Sequence, residues 1–133
     1  MLQKLLDHFT LNPKQLFLID GLGAVVSASL LGTIGYRFAD TFGMPQWVLY
    51  FLAALPCLFI VYDMICYLKV HKNWAPYIKI VVFINLFYCF LSLGFMIYFY
   101  QELTTIGLIY FSLELLVVLI LVNIEWKTSK RLN

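Results

Sequence analysis

Apolar residues run through this chain in four long, nearly unbroken blocks, at 16–36, 47–68, 77–100 and 103–124, with short polar interruptions between them. Each block has about the 20 residues that a helix needs to cross a hydrocarbon core of about 30 Å. The blocks lack the strict alternation of a barrel strand, and a segment inside lipid must satisfy its own backbone hydrogen bonds, so each is read as a helix. Helix punctuation stands at the boundaries. Asn12, Pro13 and Gln15 supply an N-cap, a proline at the first helical position and a capping-box partner, and Pro45 and Pro76 open the second and third blocks in the same manner.

Composition sharpens this picture. Of the 133 residues, 63% are hydrophobic and 12% charged, and the mean hydropathy is +0.90. A water-soluble domain carries about twice that charge, and a chain this small cannot hide so much apolar surface from water. The lipid bilayer is therefore its first partner. A single all-α transmembrane domain spanning 1–133 is expected, with no room for a second globular domain.

Charge sets the orientation. Lys4 and Lys14 precede the first block, Lys69, Lys72 and Lys79 surround the middle loop, and Lys127, Lys130 and Arg131 close the chain, against Arg37 alone on the opposite side. This eight-to-one division in short loops predicts both termini in the cytoplasm, N-in and C-in, and disfavours an antiparallel dual-topology dimer. The net charge of +2 gives no case for nucleic acid. Ser27, Ala28 and Ser29 follow an apolar run as a signal-peptide cleavage site would, but Asp20 interrupts that run, and a retained helix is the better reading. The size and short loops resemble those of the many four-helix proteins of bacterial cytoplasmic (inner) membranes, the location expected here.

Residues 1–11 place Leu2, Leu5, Leu6 and Phe9 on one helical face, which reads as a short interfacial helix on the inner leaflet or as a frayed tail. Tyr36, Phe38, Phe42, Trp47, Tyr50, Tyr98 and Tyr100 form an aromatic belt at one boundary, and Trp74, Tyr77 and Trp126 mark the other. Short connections, down to Gln101 and Glu102 between the last two blocks, predict an up-down four-helix bundle. Gly21, Ala24, Ala28, Gly32 and Gly35 form a small-residue stripe that permits close helix packing, either inside the bundle or at a seam with a second copy. Pro56 frees the carbonyl of Leu52 and predicts a bend in the second helix.

The polar residues left inside the blocks carry what chemistry there is, because an ionisable group at mid-helix costs about 2.5–3.5 kcal/mol on insertion scales. Asp20, Asp63 and Lys79 fall together in the inner half. Asp63 stands toward a helix C-terminus, the wrong pole for a carboxylate, so an Asp63–Lys79 ion pair is expected. Glu114 lies about 15 Å from the inner end of the last block. Asn85 is placed at nearly the same depth and Tyr110 one turn away, which predicts a buried cluster of Glu114, Asn85 and Tyr110. Such a cluster can be glue between helices, a proton or substrate site, or a contact with a partner.

Other chemistry is not supplied. Cys57, Cys66 and Cys89 all fall in apolar blocks without a CxxC pair and read as buried hydrophobes. His8 and His71 sit outside the blocks, no metal-ligand spacing or phosphate loop occurs, and no serine is coupled to a base, so neither a metal, a cofactor nor an enzyme activity is expected. The patterns of fluoride channels and small multidrug transporters are not present. The sequence points first to a non-catalytic accessory, assembly or regulatory membrane component that holds a membrane-protein partner. The alternative is a small oligomeric transporter or proton/ion channel that uses an intramembrane carboxylate.

Overall fold

A computed structural model describes residues 2–132. They are helical with no strand: α1 (Leu2–Leu11), α2 (Lys14–Thr33), a π-helical turn (Ile34–Phe38), α3 (Ala39–Phe42), α4 (Gln46–Lys69), α5 (Trp74–Tyr98) and α6 (Thr105–Leu132). Four helical stretches are long and apolar enough to cross a membrane: Lys14–Phe42, which runs through the π turn, then Gln46–Lys69, Trp74–Tyr98 and Thr105–Leu132. Most of each stretch faces outward, with large apolar side chains such as Leu22, Phe83, Phe90, Ile97 and Val117 exposed. That surface suits hydrocarbon and not water.

The boundaries differ from expectation in two places. Asn12 does not cap α2: its side-chain amide donates back to the His8 carbonyl at 3.4 Å, and Gln15 hydrogen-bonds the His8 ring. Proline at the α2 N-cap position leaves no side-chain cap at all. The second difference is larger. Helix α6 continues two turns beyond the last apolar block, to Leu132, and draws Glu125 into the bundle.

Two hairpins make the body of the fold. The start of α2 meets the end of α4, where a Cβ on Gly21 would lie 3.6 Å from Asp63 Cβ, and the end of α2 meets the start of α4, where a Cβ on Gly35 would lie 3.2 Å from Leu49. Helices α5 and α6 form the second pair. Gln46 Nε2 donates to the Gly35 carbonyl of the π turn at 2.8 Å. Between the hairpins, α4 touches α5 through aromatic edges, Phe59 on Tyr88 and Trp47 on Phe95. Helices α2 and α6 hardly touch.

Clamps close the two ends. At one, Thr104 Oγ1 donates to the Thr41 carbonyl at 2.6 Å and accepts the Gly107 N–H at 3.1 Å, while the Thr104 N–H reaches the Phe42 carbonyl at 3.3 Å. Glycine is required here, because a Cβ on Gly107 would stand 2.0 Å from the Phe42 oxygen. Gly43, at φ 74°, ends α3 in the left-handed region. At the other end α1 buries Leu6 and Phe9 against the bundle, and Arg131 pairs with Asp7 at 2.5 Å.

Two apolar clusters fill the interior. One gathers Leu31, Val48, Leu49, Leu52, Tyr88 and Phe111, the other Phe9, Leu16, Phe17, Cys66, Ile78 and Val81. On α2, α4 and α5 a polar residue falls between the two: Asp20, Asp63 and Asn85.

Candidate intramembrane acid layer and cavity

Four buried polar residues from four helices meet at that level: Asp20 (α2), Asp63 (α4), Asn85 (α5) and Glu125 (α6), none more than 6% exposed. Asn85 is the donor at the centre. Its Nδ2 gives one N–H to Asp20 Oδ1 at 2.9 Å and the other to Glu125 Oε1 at 3.0 Å, which spends both protons of the amide. Asp63 lies against the Gly21 face of α2, and neither of its oxygens has a hydrogen-bond partner. Three carboxyls thus meet at one neutral donor, which serves two of them. An unpaired charge in such surroundings is very costly, so the layer demands protons or a cation.

The expected Asp63–Lys79 ion pair does not form. Among the described residues the ion pair within 4 Å is Asp7–Arg131, at the end of the bundle. The reason is the pairing of helices: α4 packs far more closely on α2 than on α5, and Asp63 turns to the glycine of α2 instead of the lysine of α5. Asp20 stands next to that glycine in α2, and among the described residues no lysine pairs with either acid.

The expected cluster of Glu114, Asn85 and Tyr110 is met in part. All three line one cavity of about 380 Å³ that lies among α2, α4, α5 and α6. Asn85, however, does not bond to Glu114. The donor to Glu114 Oε1 is the Tyr88 hydroxyl, and Glu114 Oε2 is buried without a partner. The cavity touches the acid layer at Asp20 and Asn85, also meets Ser27 and Tyr88, and is apolar over the rest of its wall, with Pro56 and Phe59 on the α4 side. Its mouth is the gap between α2 and α6, where Val26, Leu30, Leu113 and Val117 are about half exposed.

Two residues of the site, Glu125 and Tyr88, escape the sequence reading. Glu125 stands just past the last apolar residue of its block and reads as tail. Yet it follows Glu114 by 11 residues, three turns on the same helix face, so continuing the face of Gly107, Tyr110, Glu114 and Leu121 would have reached it. Tyr88 sits one turn from Asn85 on the stripe that continues to Ser92 and Met96.

The small-residue stripe of α2 divides. Gly21, Ala24 and Gly35 face inward, whereas Ala28 and Gly32 are half-buried and a Cβ on Gly32 would meet nothing within 4 Å. Cys57, Cys66 and Cys89 are all free, and Cys57 is exposed where a buried position was expected. Among the described residues no group of three or more His, Cys, Asp or Glu is placed to hold a metal ion. No protein family, no curated protein and no solved structure matches the chain. The fold and the site define an all-helical chain with four membrane-competent helices around a layer of buried acids.

Proposed function

We propose that the chain is a small multi-pass transporter of a bacterial cytoplasmic membrane, an up-down bundle with both termini inside, that moves protons on its intramembrane carboxyls. The single observation that carries this reading is the acid layer: Asp20, Asp63 and Glu125 from three helices, one shared amide, and an Asp63 carboxyl with no partner. Neutral residues would hold helices together at lower cost, so three carboxyls at one level are better explained by what they carry. The cavity adds a second argument. Four helices of one chain enclose space beside the acids, so a single copy already offers part of a path. Orientation rests on the eight-to-one division of lysine and arginine.

The accessory-component reading keeps support from Asn85, whose amide ties α5 to α2 and α6 as a structural contact would. Proton flux separates the two. In liposomes loaded with a pH-sensitive dye under an imposed potential, the wild-type chain is expected to conduct or exchange protons, and Asp63→Asn and Glu125→Gln to fall to the background of empty vesicles while still folding. A wild-type rate equal to that of empty vesicles would end the transport reading.

A further inference from the structure

The cavity borders the acid layer at Asp20 and Asn85 and has a further acid of its own. Glu114 lines it, with Oε1 held by the Tyr88 hydroxyl and Oε2 buried. Three aromatic residues, Phe59, Tyr88 and Tyr110, line the same space, and no lysine or arginine does. Aromatic faces attract a cation, and a desolvated carboxylate supplies its counter-charge. Asp20, Asn85 and Ser27 are the other polar residues of the wall, the remainder is apolar, and the mouth between α2 and α6 opens at Val26, Leu30, Leu113 and Val117, side chains that face hydrocarbon in a membrane. A guest must therefore arrive through the bilayer and be apolar apart from one positive group. At about 380 Å³ the space lies at the lower end of small-ligand pockets.

From this geometry we infer that the cavity is a binding site for a compact lipophilic monoamine, which enters sideways between α2 and α6 and sets its ammonium against the Glu114 carboxyl beside Phe59, Tyr88 and Tyr110. A lipid acyl chain would fill the same walls but would bring no counter-charge to the Glu114 carboxyl. An anion would meet two carboxyls and no lysine or arginine along the wall. The inference deepens the transport proposal, since it names a cargo, and binding is measured apart from flux.

The test uses the full chain in lipid nanodiscs and three probes that share one hydrocarbon cage: 1-adamantanamine, 1-adamantanol and 1-adamantanecarboxylate. Radiolabelled amine is bound in a proximity assay at neutral pH, with empty nanodiscs subtracted, and the other two compete. Saturable amine binding is expected, with the alcohol at least about tenfold weaker, the margin a charged hydrogen bond supplies, and the carboxylate inactive. Glu114→Gln should erase the preference of amine over alcohol. Gly23→Leu extends a side chain from a cavity-lining position where a Cβ meets nothing within 4 Å. It should fold, keep Glu114, and weaken amine and alcohol alike by about tenfold or more.

Equal binding of amine and alcohol by the wild type would overturn the inference, as would a preference that survives Glu114→Gln or binding indifferent to Gly23→Leu. Should Glu114→Gln not fold, the wild-type probe series and Gly23→Leu still decide. Saturable, Glu114-dependent binding without proton flux would sustain the site and remove the transport proposal. Flux without amine binding would do the reverse.

Discussion

Asn85 is the residue on which the interior polar layer turns. Replacing it with leucine keeps the volume and removes both N–H groups, so Asp20 Oδ1 and Glu125 Oε1 each lose the partner they hold at 2.9 and 3.0 Å. Side-chain hydrogen bonds between membrane helices are worth about 0.6–2 kcal/mol each, and leaving a buried acceptor bare adds about 1–3 kcal/mol. For two such bonds and two such acceptors the expected loss for Asn85→Leu is therefore about 3–10 kcal/mol, a large part of a stability of about 5–15 kcal/mol. Reversible unfolding of the chain in bicelles measures it. A cycle with Glu125→Leu tests the assignment further: with the acceptor also apolar the penalty on that side vanishes, so the double variant should recover at least about 1 kcal/mol over the sum of the singles. If Asn85→Leu is as stable as wild type, or the cycle shows no coupling, the amide does not bind these carboxyls and the layer described above is wrong.

Three further expectations test other parts of the fold. Gly107→Ala drives a Cβ into the Phe42 carbonyl oxygen, backbone against backbone, and should cost about 1–3 kcal/mol and loosen the clamp between the hairpins; unfolding in bicelles and faster amide exchange at Thr104 report it. Asp7→Ala breaks an ion pair whose side chains are 68% and 35% exposed, so the change in stability should stay below about 1 kcal/mol and shrink further in high salt. In intact cells, a single cysteine placed at Thr41 of a chain freed of its own three cysteines should react with an impermeant maleimide, and one placed at Lys130 only after lysis; the reverse pattern would refute the N-in, C-in arrangement.

Much of the architecture is legible in the chain because it depends on length and average polarity alone. Four apolar runs of about 20 residues have few alternatives to four helices. Their ends are less legible. The last run stops at Ile124 by hydropathy, yet α6 continues because Trp126, Lys127 and Lys130 can lie at an interface while Glu125, Thr128 and Ser129 turn inward. Polarity marks where lipid ends and not where a helix ends.

The chemistry divides along the same line. The sequence by itself determined which residues were out of place, Asp20, Asp63, Asn85 and Glu114, because each interrupts an apolar run wherever its helix may lie. It could not determine their partners. Partnership depends on how each helix is rotated and which helix it pairs with, and in four uniformly apolar helices no hydrophobic face records either. Only the tertiary structure, by packing α2 on α4 and α5 on α6, turned Asp63 away from Lys79, brought Glu125 to Asn85, and left Glu114 beside Tyr88 at the edge of an open cavity.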